Sequence, residues 1–85
     1  MSYKVIVLRK AQRNLEAIPS PAFDQIEAKL FALAENPRPH GCKKLRDRER
    51  AWRIRSGDYR IVYDIDDSTS IVTVVRIGHR REIYR

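Results

Sequence analysis

Arginines make up most of the side chains in this sequence whose type and spacing could support chemistry. Arg53 and Arg55 alternate along one segment, and Arg60 follows them after a short turn. A guanidinium group suits a phosphate ligand because its planar fork donates two parallel hydrogen bonds and keeps its positive charge. If the fold brings these arginines together, they would bind an anion such as a phosphodiester.

More groups suited to nucleic acid lie before and after this cluster. Arg76 and Arg80 share the same parity along the chain, so an extended conformation would direct both toward one surface of a sheet. Tyr84 could stack on an unpaired base, a contact that contributes about 1–3 kcal/mol, whereas the parity of Tyr59 directs it into the core. The remaining candidates for binding a nucleic-acid backbone are Lys43, Lys44, Arg46, His79 and Arg81.

Other catalytic patterns are absent from the sequence. It has two histidines and one cysteine, and no Ser/His/Asp arrangement, glycine-rich phosphate loop or metal-ligand spacing. We therefore expect chemistry without a metal or cofactor, built from Arg, Lys, Tyr and His79. Cleavage of RNA by its own 2′-hydroxyl fits these groups, because it requires an aligned hydroxyl, a stabilised pentavalent anion and a protonated leaving oxygen.

The length and charge of the chain narrow its class. The 85 residues predict a single domain, residues 1–85, and the lone Cys42 fits a reducing compartment. The apolar run from Val5 to Leu8 is too short for a signal peptide or a membrane span, so a cytoplasmic protein is expected. The net charge is +7, and residues 41–85 carry twelve basic against seven acidic side chains. Such an excess favours nucleic acid, an anionic membrane surface or an acidic protein, and charge alone does not choose among them.

The first half of the chain predicts one strand and two helices. A short β-rich run covers residues 3–8, and apolar residues at helical spacing follow over residues 9–17. A second helix begins near Pro21 and is stopped by Asn36 and Pro37. The apolar stripe of this helix consists of Phe23, Ile26, Leu30 and Leu33. The stripe predicts packing against the core, and the adjacent Phe31 is also assigned to the core. Residues 37–50 are predicted to form a long, irregular, basic connection.

From Ala51 onward the apolar period changes to two, which predicts a hairpin. A two-residue type II′ turn at Gly57-Asp58 would fix the register of its two strands. The predicted pairs are Trp52 with Tyr63, Arg53 with Val62, Ile54 with Ile61, and Arg55 with Arg60. One face is then apolar and the other carries the arginines, although like charges opposite each other cost up to about 1 kcal/mol per pair. Either an anionic ligand or a carboxylate would neutralise them, and the candidate carboxylates are those of Asp64, Asp66, Asp67 and the helices.

A third strand completes the predicted sheet. Residues 71–77 are rich in Val and Ile, as is typical of a central strand, and Gly78 is expected to end it. Residues 79–85 are expected to trail away from the sheet. The order is β-α-α-β-β-β, and the predicted fold is an α+β domain with a mostly antiparallel twisted sheet and two helices packed on one face.

Two segments carry a family resemblance. The string from Trp52 to Tyr63 and the string from Arg76 to Tyr84 together resemble the RelE branch of the RelE/ParE toxin superfamily. Lys43-Lys44-Leu45 and the strand-helix-helix opening also match, so the likeness covers nearly the whole chain. The resemblance implies the toxin of a type II toxin–antitoxin module, an endoribonuclease that cleaves mRNA on the ribosome. The implied partners are mRNA, the ribosome and a cognate RelB-like antitoxin with an acidic segment, and not a membrane.

The resemblance also implies catalytic roles at matching positions. Arg60 would hold the scissile phosphate, Arg80 would stabilise the transition state or protonate the leaving group, and Tyr84 would stack on a base. Arg53 stands where the family often has a lysine proposed to activate the 2′-hydroxyl. Arginine is a poor general base because it stays protonated in proteins. Either Arg53 acts only through its charge, or another group is the base, for which Lys43, Lys44 and His79 are the candidates.

Two other functions compete with the nuclease. One is a ParE-like protein that inhibits DNA gyrase by binding alone, and the other is a weakly active or inactive module that binds the antitoxin. The pair Arg80 and Tyr84 favours the nuclease, because a protein that only binds has no need of it.

Overall fold

The computed structural model describes residues 2–46 and 50–83, the last two by their backbone alone. Its elements are β1 (Lys4–Val7), α1 (Arg9–Glu16), α2 (Ala22–Glu35), β2 (Lys43–Lys44), β3 (Ala51–Ser56), β4 (Tyr59–Asp66), β5 (Ile71–His79) and α3 (Arg80–Ile83). The strands form one sheet in the order β1-β5-β4-β3-β2. Only the β1–β5 pairing in this sheet is parallel, so the predicted α+β class with a mostly antiparallel sheet is confirmed.

The core lies between one face of the sheet and helices α1 and α2. Ile26 and Leu33 of α2 are completely buried, as are Ile61 and Tyr63 of β4. Burying one such apolar side chain contributes about 1.5–3 kcal/mol. The Tyr63 hydroxyl keeps a hydrogen bond inside this layer, since it donates to the carbonyl oxygen of Pro37 at 2.8 Å. We call this side of the sheet the helix face and the opposite side the open face.

The predicted hairpin register is confirmed pair by pair. Ile54 lies opposite Ile61 and Arg55 lies opposite Arg60. Gly57 has a φ of +59°, the left-handed conformation that the first central position of a type II′ turn requires. Trp52, Ile54, Ile61 and Tyr63 point to the helix face. Arg53, Arg55 and Arg60 therefore project from the open face, together with Val62, which lies opposite Arg53.

Three local predictions were wrong. Residues 37–50 are not wholly irregular, because Lys43 and Lys44 pair with Arg53 and Trp52 and extend the sheet by one strand. Gly78 does not end the third strand of the meander, since β5 continues to His79. The residues after it do not trail away in an extended form, because Arg80 begins the helix α3, and the parity argument for Arg76 and Arg80 therefore fails.

No helix among the described residues is long and apolar enough to cross a membrane.

A polar cluster ties the N-terminal segment to the turn between β4 and β5. Arg38 donates to both carboxylate oxygens of Asp67, at 3.2 and 2.8 Å, and its guanidinium group lies 5.1 Å from the centre of the Trp52 ring. The Tyr3 hydroxyl donates to the same carboxylate at 2.6 Å. The hydrogen bonds from Arg38 and then from Tyr3 lower the pKa of Asp67 to about 2.

Substitution Asp67→Asn should lower the melting temperature at pH 7, and the difference from wild type should shrink as the pH falls. The folded-state pKa is below the unfolded value of about 3.9, so the contribution of Asp67 is complete above about pH 4. The contribution of Asp67 to stability is lost as the pH approaches 2, because Asp67 then binds a proton in the folded protein as well. Thermal unfolding between pH 2 and 7 measures this, with Asp24→Asn as a control for charge removal. A difference that does not change with pH would contradict the assignment.

Candidate nucleic-acid interface

A cleft of about 240 Å³ opens on the open face, where β2, β3 and β4 lie side by side. The residues that line it are Gly41, Lys43, Arg53, Arg55 and Arg60. Their convergence follows from the register: Lys43 pairs with Arg53, and Arg55 pairs with Arg60, so their side chains share one face of three neighbouring strands. The loop before β2 closes one side at Gly41, whose φ of +92° favours glycine.

Arg60 is the half-buried centre of this cleft. Its Nη1 group donates to the carbonyl oxygens of Tyr59 at 3.2 Å and Gly57 at 3.4 Å, whereas its buried Nε has no hydrogen-bond partner in the structure. Burial lowers the pKa of Arg60, and the positive charges of Arg55, Arg53 and Arg80 lower it further. Arginine keeps its proton despite such a shift, so the cleft holds a concentrated positive charge.

Helix α3 brings Arg80 to the same region from the end of β5. The Arg80 backbone N–H donates to the carbonyl oxygen of Asp58 at 2.8 Å, which fixes the start of α3 against the hairpin turn. Arg60 pairs with Gly78, two residues before Arg80, and the Arg80 charge is near enough to act on Arg60. Arg80 therefore lies close to Arg60 in the sheet, at the start of a helix rather than through strand parity, but it does not line the cleft.

Two of the acids considered as neutralising partners are engaged elsewhere. Asp67 binds Arg38, and Asp66 accepts a hydrogen bond from Arg50 at 3.1 Å. The side-chain Nε of Arg55 donates to the carbonyl oxygen of Gly57 at 3.1 Å, which satisfies a donor without neutralising the charge.

Asp64 lies on the open face, on the same side of β4 as Arg60 and Val62. It lies opposite Ala51 on β3 and Thr73 on β5. Asp64, Arg53 and Arg76 each have an interaction partner. Any neutralisation of the arginines by a strand carboxylate therefore concerns Asp64, at a position away from Arg55 and Arg60.

Lys44 and His79 are not brought to the cleft. Lys44 pairs with Trp52, so it points to the helix face and lines a separate pocket that also contains Arg38. His79 pairs with Tyr59 on the helix face, where the two rings meet edge to face with centroids 5.7 Å apart. Of the three candidates for the general base, Lys43 alone lines the cleft.

The other sequence candidates take positions around the cleft. Arg46 is exposed in the turn after β2, and Arg81 is exposed on α3. Arg76 is half-buried on the open face, opposite Val62 and beside an irregularity in the β4–β5 register. None of these three lines the cleft itself. Tyr84 lies outside the described residues.

An apolar groove on the helix face is a second surface, which the sequence interpretation missed. It has a volume of about 360 Å³ and runs between α1, α2 and β1; its lining residues are Val5, Val7, Gln12, Leu15, Phe23, Glu27, Leu30, Phe31 and Ala34. The assignment of Phe31 to the core was wrong, because its side chain is 73% exposed. The sequence indicated this exposure, because Phe31 follows Leu30 directly and lies outside the stripe of apolar residues at i, i+3 and i+4 spacing.

Comparisons with known proteins agree with the geometry. A family model described as the ParE toxin of type II toxin–antitoxin systems matches residues 5–84. Toxin RelG of Mycobacterium tuberculosis is 31% identical over 100% of this chain and 99% of its own length. The mRNA interferase toxin RelE of Escherichia coli is also 31% identical, over 99% of this chain and 92% of its own.

Solved structures give the same result. A chain of the RelBE2 toxin–antitoxin complex of Mycobacterium tuberculosis superposes with a TM-score of 0.81 at 31% identity, covering 94% of this chain and 100% of that one. A chain of the intact Escherichia coli RelBE complex gives a TM-score of 0.79 at 29% identity, covering 92% of this chain and 96% of that one. The family match, the sequence similarity and the fold lead to one conclusion: this chain belongs to the RelE/ParE superfamily and is a RelE-family toxin of a type II toxin–antitoxin system.

Proposed function

We propose that this chain is an mRNA interferase, a cytoplasmic endoribonuclease that cleaves ribosome-bound mRNA without a metal ion. The observation that carries this proposal is the convergence of Arg53, Arg55 and Arg60 on one cleft, with Arg80 near enough to lower the pKa of Arg60. Positive charges held this close are stabilised by a bound anion, and RNA supplies one in its phosphodiester. The name of the Escherichia coli relative, mRNA interferase toxin, supports the same substrate class.

The proposed reaction is an internal phosphoryl transfer. The 2′-oxygen attacks the adjacent phosphorus as its proton passes to a base, and the bond from phosphorus to the 5′-oxygen breaks as that oxygen gains a proton. A 2′,3′-cyclic phosphate and a 5′-hydroxyl result. Arg60 holds the non-bridging oxygens, and Arg80 stabilises the additional negative charge of the pentavalent transition state.

Lys43 is the proposed general base. An ammonium group can release a proton and then accept one from the 2′-hydroxyl, which a guanidinium group does not do in proteins. Lys43 lies opposite Arg53 across β2 and β3. A lysine is therefore present beside Arg53, which occupies the position where the family often has a lysine. In this arrangement Arg53 supplies charge and Lys43 supplies the proton acceptor.

The proposed partner is an antitoxin with an amphipathic helix and an acidic segment. The groove between α1, α2 and β1 supplies apolar contacts for the helix of the antitoxin. Phe31 is a large, exposed apolar side chain in the lining of this groove. The net charge of +7 attracts the acidic segment. The toxin–antitoxin complexes of the Mycobacterium tuberculosis and Escherichia coli relatives support this kind of partner.

Substitutions Arg60→Ala and Arg80→Ala should each lower the rate of mRNA cleavage by about 10²-fold or more, the usual cost of removing one transition-state charge contact. Tyr84→Ala should lower it less. Primer extension on a defined mRNA, with and without purified ribosomes, measures both the cleavage and its dependence on the ribosome. Lys44→Gln is the control, because it removes one positive charge from the helix face and should leave cleavage unchanged.

The same preparation distinguishes the ParE-like alternative. Wild-type protein that leaves mRNA intact but blocks DNA supercoiling by gyrase would overturn the nuclease proposal. Full activity in both arginine variants would instead show that the reaction takes place elsewhere on the molecule.

Lys43→Arg should lower cleavage as severely as Lys43→Gln, by about 10²-fold, because arginine preserves the charge but not the proton acceptor. Single-turnover cleavage rates of the two variants, compared with those of Lys44→Gln, provide the measurement. If Lys43→Arg retains wild-type activity, Lys43 acts only through its charge and another group is the base.

Phe31→Ser should weaken the complex with the cognate antitoxin by about tenfold or more, because an aromatic side chain would no longer be buried on binding. The stability of the free toxin should change little, since Phe31 is 73% exposed. Titration calorimetry measures the affinity. Leu8→Ser is the matched control, because Leu8 is an exposed apolar residue outside the groove. Equal affinities for Phe31→Ser and wild type would remove the groove from the interface.

A further inference from the structure

His79 occupies the residue that joins β5 to α3, immediately before Arg80. Its Nδ1 atom accepts a hydrogen bond from the backbone N–H of Arg81 at 3.3 Å. This is the geometry of a helix N-cap, in which the side chain of the residue before the helix accepts from the second helical N–H. The imidazole thereby takes up one donor that the short helix would otherwise leave without a partner.

Two further contacts hold this junction in place. The His79 ring meets the Tyr59 ring edge to face, which holds the imidazole against β4. The Ile77 backbone N–H donates to Oδ1 of Asn14 at 3.1 Å, so α1 anchors the last part of β5. With the bond from Arg80 N–H to the Asp58 carbonyl oxygen, the first turn of α3 is fixed by both the hairpin and the strand.

We propose that His79 is a positioning residue: by capping α3 through Nδ1 it aims Arg80 at the cleft occupied by Arg60. Its ring lies on the helix side of the sheet against Tyr59 and does not line the cleft. The consequence for cleavage rests on the proposed nuclease function, whereas the cap itself does not. This role differs from that of a general base, for which the sequence made His79 a candidate.

Two nearly isosteric substitutions separate the cap from other roles of the imidazole. Asn places Oδ1 where His carries Nδ1 and is among the best N-cap residues, so His79→Asn should keep the cap. Gln places its oxygen near the position of Nε2 and should not. We expect His79→Gln and His79→Ala to lower single-turnover cleavage by about tenfold with little change in the half-saturating RNA concentration, and His79→Asn to remain within about threefold of wild type.

Amide hydrogen exchange provides a measurement that does not depend on activity. The Arg81 amide should be protected in wild type and in His79→Asn, and should exchange faster in His79→Gln and His79→Ala. Equal protection of that amide in all four proteins would overturn the cap. If exchange follows the expected order while all four proteins cleave RNA equally, the aiming of Arg80 is overturned.

Two further outcomes are also decisive. Equal loss of cleavage in all three variants, with a shared drop in melting temperature, would make His79 a packing residue and overturn the proposal. If the wild-type protein cleaves no RNA, the nuclease function fails by itself. The exchange order of the Arg81 amide then still decides whether Nδ1 caps α3.

Discussion

The register between β3 and β4 is the constraint on which the rest of the molecule depends. The turn at Gly57 places Arg55 opposite Arg60 and Ile54 opposite Ile61. Because side chains alternate along a strand, a slip of one residue would send the guanidinium groups into the core and the isoleucines into water. The apolar pairs therefore choose the register, and the arginines are carried to a common face as its consequence.

The fold tolerates this crowding of charge because its core is formed by other residues. Like charges opposite each other cost up to about 1 kcal/mol, whereas each fully buried residue such as Ile61 or Val74 contributes about 1.5–3 kcal/mol. Two nearby acids that could relieve the repulsion are committed to other arginines, Asp66 to Arg50 and Asp67 to Arg38. Asp58 of the hairpin turn also acts on Arg60, but burial and the neighbouring arginines outweigh its effect on the pKa of Arg60. The cleft therefore keeps an excess of positive charge at a small cost in stability.

Local patterns predicted the hairpin and the face of its arginines, because alternation over residues 52–65 is strong and the turn residues are specific. They could not predict β2, since the two residues Lys43 and Lys44 have no measurable period. They also could not predict α3, whose start depends on a bond from Arg80 to Asp58, twenty-two positions earlier. The faces of Lys44 and His79 follow from pairings that only the assembled sheet establishes.

The separation of cleft and groove limits how an antitoxin could inhibit this chain. The groove lies on the helix face beside β1, and the cleft lies on the open face, where Arg53 projects from β3. Strands β1 and β3 are three strand spacings apart in the sheet, a distance of about 14 Å. In the proposed complex, a single helix seated in the groove would leave Arg60 uncovered. An inhibitor that uses both surfaces therefore needs a second segment that passes around the sheet, and the charge of the cleft requires that segment to be acidic.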